Sequence, residues 1–172
     1  MKNLLLFTVL VTLPLLLGGC GGTTEINSES QNVNVEELIE RKEIVYLKGT
    51  YRGYTGKSYE LHPNGQKEME GKYKDGKQDG LWVWWYENGQ KEMEENYKDG
   101  KEDGLSVSWY ENGQKEMEGN YKDGKMDGLW VQWHENGQKR FQGNFNDGKE
   151  IIAKYWNSKG EEVDSLEEAE AE

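Results

Sequence analysis

The chain repeats itself every 24 residues. Asn-Gly-Gln-Lys begins at Asn64, Asn88, Asn112 and Asn136, and Asp-Gly recurs in phase at Asp75, Asp99, Asp123 and Asp147. A second Asp-Gly follows at Asp79, Asp103 and Asp127. One unit, residues 79–102, reads DGLWVWWYENGQKEMEENYKDGKE. A unit this short cannot bury an apolar face alone, so the copies must stack into a continuous array. Residues 49–56 (GTYRGYTG) look like a shortened entry to that array, and residues 151–162 (IIAKYWNSKGEE) like an eroded exit. Atypical end units are expected where the last strands face water instead of a neighbour.

Each unit has the pattern of a β-hairpin. Two apolar-rich stretches, such as 81–86 and 91–98, flank Glu87-Asn88-Gly89, a strong short-range hairpin signal. On the first stretch Leu81, Val83 and Trp85 recur as Leu105, Val107, Trp109 and as Leu129, Val131, Trp133, while the positions between them drift. On the second, Met93 and Tyr97 recur as Met69 and Tyr73, Met117 and Tyr121, and Phe141 and Phe145. A two-residue Asn-Gly loop would split this recurring apolar set between the two faces of the sheet. A three-residue Glu-Asn-Gly turn, with Gly65, Gly89, Gly113 and Gly137 at positive φ, puts the whole set on one face. Lys-Asp-Gly-Lys-x-Asp-Gly then links the hairpins and keeps Tyr97 and Leu105 together. The predicted fold class is all-β: a single elongated, twisted antiparallel meander of tandem 24-residue β-hairpins, of about nine or ten strands.

The N-terminus carries an address. Lys2 precedes the apolar run of residues 4–17, which is several residues short of the roughly 20 needed to span a bilayer as a helix. The run ends at Leu17-Gly18-Gly19-Cys20, which resembles the bacterial lipobox, with Cys20 as the lipidation site. Cys20 is the only cysteine, so no intramolecular disulfide is available. Residues 1–19 are therefore expected as a lipoprotein signal peptide and 20–36 as a flexible tether rich in Gly, Ser, Thr and Asn. Residues 35–42 suit two helical turns and 43–47 a strand. The repeat domain spans 37–163, and 164–172 read as an acidic disordered tail. The expected location is the cell envelope, anchored to a membrane through the N-terminal lipid, and to the outer membrane in a Gram-negative cell.

The unit DGLWVxWYENGQKxMEGNYKDGK resembles the bacterial variant of the MORN repeat, found in lipoproteins and in proteins labelled antitoxin-like. The resemblance covers roughly residues 37–163. It implies a scaffold for protein contacts, sometimes associated with membranes, and offers no catalytic motif to transfer. One departure is Glu95, which stands where the other copies carry Gly71, Gly119 and Gly143 and puts tight aromatic packing there in question.

Charge and chemistry narrow the function. A net charge of −12 excludes nucleic acid as a partner, because such binding relies on cationic side chains neutralising phosphates. Glu92, Glu94 and their copies Glu68, Glu70, Glu116 and Glu118 recur beside lysines, which suits cross-strand ion pairs and not one asymmetric catalytic constellation. The aspartates of the Asp-Gly turns have a lysine at the middle position of any calcium loop, and His62 and His134 lack partners at metal spacing. No cofactor, no metal and no enzyme activity are expected. By the register above, Leu81, Val83, Trp85, Met93 and Tyr97 are structural. Trp82, Trp84, Tyr86, Tyr110 and Trp130 lie on the opposite face, where exposed aromatics serve as contact anchors. They are the candidate binding residues for an unknown envelope protein, or alternatively for polysaccharide or peptidoglycan.

Overall fold

The computed structural model describes residues 32–171. The segment expected as a signal peptide, Cys20 and most of the expected tether lie outside the described residues. The strands are β1 (Asn32–Asn34), β2 (Leu38–Arg41), β3 (Ile44–Leu47), β4 (Gly56–Leu61), β5 (Lys67–Lys74), β6 (Lys77–Gln78) and β7 (Gly80–Trp85). They continue as β8 (Lys91–Lys98), β9 (Lys101–Trp109), β10 (Lys115–Lys122), β11 (Lys125–Trp133), β12 (Lys139–Asn146), β13 (Lys149–Trp156) and β14 (Glu162–Val163). From β4 onward they form one antiparallel meander in chain order within a 12-stranded sheet, as the tandem hairpins predict, with β6 paired beside β5. The strand count exceeds the expected nine or ten because β1 adds to β4 in parallel and β14 adds to β13.

Turn chemistry sets the register. Gln90 accepts from the Tyr86 N–H at 2.9 Å, and Tyr86 accepts from the Gly89 N–H at 2.9 Å, which closes the three-residue turn Glu87-Asn88-Gly89. Asn88 Oδ1 accepts from the Gln90 N–H at 2.8 Å. Gly65, Gly89, Gly113 and Gly137 all have φ of 82–83°, as the odd loop requires. At the other end Asp99 and Gly100 have φ of 52° and 84° and join Lys98 directly to Lys101, a two-residue primed turn.

On the first strand of each repeat hairpin the faces are the reverse of those expected, whereas Met93, Tyr97 and their copies on the second strand keep the core side expected of them. Beyond the turn Trp85 stands opposite Lys91, but Trp84 stands opposite Met93, so Glu92 is an extra residue on β8. This β-bulge undoes the parity that the odd loop created. Glu68, Glu116 and Arg140 occupy the same place in the other hairpins. Trp82 and Trp84 therefore share a face with Met93 and Tyr97, while Leu81, Val83 and Trp85 share the other with Glu94. A second irregularity places Asp103, Gly104 and Leu105 of β9 against Asn96 alone. Tyr97 thus lies with Ser106, not with Leu105.

The core is built on the first of these faces. Trp82 and Trp130 are each 1% exposed, although the sheet is a single layer. Each indole lies flat on a neighbouring glycine: a Cβ at Gly71 would overlap the Trp82 ring, and one at Gly119 the Trp130 ring. Tyrosines and phenylalanines close around them edge-on, with Tyr73 at 5.0 Å from Trp82 and Tyr121 at 4.9 Å from Trp130 between ring centroids.

The ends of the array are sealed by segments with other expected roles. Residues 35–42 do not form two helical turns. Val35–Glu37 is a single 3₁₀ turn, and Leu38–Arg41 is strand β2, because pairing with β3 satisfies its backbone. The β2–β3 hairpin clasps the first Asp-Gly turn, the Val45 N–H donating to the Gly76 carbonyl at 2.8 Å. Asn32–Asn34, assigned to the tether, is strand β1. The acidic end is not a free tail: helix α1 (Leu166–Glu170) is capped by the Ser165 hydroxyl, buries Ala169, and brings Glu170 3.5 Å from Arg140.

Candidate interaction surface

Because the bulge turns the core tryptophans inward, Leu81, Val83 and Trp85 and their copies form an outer face of parallel rows. One row alternates tryptophan and lysine across the strands. Lys67, Lys91, Lys115 and Lys139 each place an ammonium over the indole of the next hairpin's Trp85, Trp109, Trp133 and Trp156, at 5.5, 5.9, 5.9 and 5.3 Å. The same ammonium groups pair with Glu70, Glu94 and Glu118, and Lys139 donates to Gln142. Another row alternates leucine and asparagine. Here Leu81, Leu105 and Leu129 are 50, 46 and 54% exposed. These leucines were expected in the core; the sequence signal that misled was their regular recurrence, which marks the outer face as the regular one.

The five aromatic candidates take three different places. Trp82 and Trp130 are core residues and cannot anchor a partner in the folded chain, which corrects their assignment to an exposed face. Trp84 is half-buried on the same core face, 6.0 Å from the Trp82 ring. Tyr86 and Tyr110 are half-buried clamps between repeats, and their hydroxyls donate to the Trp109 and Trp133 carbonyls at 2.6 Å. Burial raises the pKa of both phenols. His62 and His134 fill the equivalent positions and donate through Nε2 to the Trp85 and Trp156 carbonyls at 2.6 and 2.9 Å. The four thus share one structural role.

Between the two buried tryptophans the core face turns polar. Glu95 lies opposite Ser106, which is 1% exposed. Glu95 accepts from the Tyr97 hydroxyl at 2.7 Å and from Ser106 Oγ at 3.4 Å. Ser108 Oγ donates to Glu116 at 3.0 Å. Burial first, and then the hydrogen bond to Glu95 and its charge, push the Tyr97 phenol well above its ordinary pKa. The doubt that Glu95 casts on packing is resolved by the loss of tryptophan on the adjoining strand.

Charge is segregated between the faces. Every lysine in strands β4 to β13 points to the outer face, as the pairing registers require. The core face of those strands carries no lysine and receives Glu60, Glu95, Glu102 and Glu150. The overall charge of −12 conceals this division.

A comparison with curated proteins gives no match. Residues 78–99, 102–123 and 126–147 match the family model described as MORN repeat variant. That repeat type serves protein and membrane interaction and is not enzymatic. The hairpins on either side of the matched stretch use the same Asn-Gly turn at Asn64-Gly65 and a related turn at 157–161. The central part of this sheet, residues 78–147, is therefore similar to three tandem copies of the MORN repeat variant.

Proposed function

We propose that the chain is a non-catalytic repeat scaffold, lipid-anchored at the cell envelope through Cys20, that binds a protein partner on its outer face. The observation that carries this reading is the row of Leu81, Leu105 and Leu129, half-exposed and in phase along the sheet. Apolar side chains held regularly at the surface mark contact sites. The lipobox-like Leu17-Gly18-Gly19-Cys20 supports the anchoring. The rival reading is a glycan- or peptidoglycan-binding module, for which stacking tryptophans would be the platform. Here the lysine ammonium groups already occupy positions over the four outer indoles, which favours the protein scaffold. The test is recovery of envelope proteins by the chain and by a Leu81→Ser, Leu105→Ser, Leu129→Ser variant. A protein held by the parent and lost by the variant supports the scaffold. Retention on purified peptidoglycan, with no protein recovered, replaces it with the glycan reading.

A further inference from the structure

We infer that the four Asn-Gly turns are latent modification sites, each kept from deamidating by the turn of the hairpin that follows it. The four pairs begin at Asn64, Asn88, Asn112 and Asn136, and all four asparagines are exposed to water. Such a pair is reactive because glycine has no side chain to shield its backbone nitrogen. That nitrogen loses its proton to hydroxide and attacks the asparagine Cγ. The N–Cγ bond forms, the Cγ–Nδ2 bond breaks, and ammonia leaves with a proton taken from water. Water then opens the succinimide ring at either carbonyl, giving aspartate or isoaspartate, and nothing is oxidised or reduced.

The fold ties down both reacting groups. The Gly89 N–H donates to the Tyr86 carbonyl at 2.9 Å, and Asn88 Oδ1 accepts from the Gln90 N–H at 2.8 Å. A third bond crosses to the next hairpin, where Asn88 Nδ2 donates to the Glu111 carbonyl at 3.2 Å. Asn64, Asn112 and Asn136 donate likewise to the carbonyls of Glu87, Glu135 and Ser158, at 3.0, 3.0 and 2.7 Å. Closing the ring requires the side chain and the Asn–Gly peptide to rotate toward each other, which these bonds oppose. The exit turn differs in both respects. No hairpin follows it among the described residues, so Asn157 Nδ2 donates to Glu161 of its own turn at 2.9 Å, and the next residue is Ser158. Asn-Gly thus occurs only where a following turn holds the amide. An ionised aspartate has no donor to return to that carbonyl, so a converted turn no longer holds its neighbour.

The sites are read separately, because Lys67, Lys91, Lys115 and Lys139 let trypsin deliver each Asn-Gly in its own peptide. The full chain in neutral detergent micelles is incubated in mildly alkaline buffer, folded or in guanidinium. Deamidation is followed by the mass gain of each peptide; isomerisation of the Asp-Gly pairs leaves the mass unchanged. Every site is expected to react at least roughly tenfold more slowly in the folded chain, since its hydrogen bonds must first open. Tyr86→Phe removes the clamp on the Trp109 carbonyl and loosens turn 87–89 on turn 111–113. It is expected to speed the reaction at Asn88 by roughly two- to tenfold and to leave Asn136 unchanged. Equal rates in the folded and unfolded chains overturn the inference. Protection at all four sites, with no acceleration of Asn88 in the variant, also overturns it and assigns the protection to each turn's own bonds. The scaffold reading is untouched by either result, since the turns lie apart from the leucine row.

Discussion

Glu95 and Ser106 face each other across β8 and β9 on the core side of the sheet, in the places that Gly71 and Trp82 hold one repeat earlier and Gly119 and Trp130 one repeat later. Where the glycine gains a side chain, the opposing indole is reduced to a hydroxymethyl group. The two changes exchange volume across the strands, and the new carboxylate takes its hydrogen bonds from Ser106 and Tyr97. Ser106→Trp alone is predicted to destabilise the fold by about 1–3 kcal/mol through overpacking against Glu95. Adding Glu95→Gly should recover most of that loss. Urea denaturation of the two single variants and the double one measures the coupling, and additive effects would mean that the positions do not share space.

The glycine beneath each indole allows a simpler test. Gly119→Ala should cost about 1–3 kcal/mol, because the added methyl meets the flat of the Trp130 ring. Midpoints of thermal unfolding give the answer, and a change within a few tenths of a kcal/mol would show that the ring does not rest on that residue.

Much of this architecture was legible in the sequence, and the part that was not has one cause. The 24-residue period, the hairpins and the three-residue turn follow from Asn88-Gly89 and from the regular recurrence of Leu, Val and Trp. The bulge at Glu92 does not, since its copies Glu68, Glu116 and Arg140 carry no common backbone signal such as glycine. One unpaired residue in each Asn-Gly hairpin reverses the faces of its first strand, so that Leu81, Val83 and Trp85 exchange places with Trp82 and Trp84 while Met93 and Tyr97 keep the core side. Recurrence was read as a mark of burial, yet Trp82 and Trp130 are buried although Ser106 replaces them in the middle repeat. The strand at Leu38–Arg41 and the helix at Leu166–Glu170 were hidden for a different reason: both depend on tertiary partners, β3 for one and Arg140 with β13 for the other.

The inter-repeat clamps predict a modest, local loss. Tyr86→Phe removes the hydroxyl that donates to the Trp109 carbonyl and should cost about 0.5–1.5 kcal/mol. Urea unfolding followed by tryptophan fluorescence checks it. A loss matching that of Trp82→Ala, about 3–5 kcal/mol, would mean that Tyr86 belongs to the core instead.

Stability should fall in alkali. The Tyr97 phenol is raised above its ordinary value of about 10 by burial and by Glu95, and Tyr54, Tyr73 and Tyr121 are raised chiefly by burial. A raised folded pKa contributes stability that is complete below the unfolded value and is lost as pH rises from about 10 toward the folded one. The free energy of unfolding measured in urea between pH 9 and 11.5 should therefore decline only above about pH 10. Tyr97→Phe should reduce the slope of that decline, and an unchanged slope would separate Tyr97 from the effect.

The inversion of the faces is tested most directly by two neighbouring residues. Ser106 is 1% exposed on the core face and Leu105 is 46% exposed on the outer one. In a Cys20→Ser background, Leu105→Cys and Ser106→Cys would be treated with a maleimide under native conditions and again in urea. The account predicts rapid modification of the thiol at 105 in the folded chain and protection of the thiol at 106 until unfolding. Protection at 105 with ready modification at 106 would contradict it, and would return Trp82 and Trp130 to the surface.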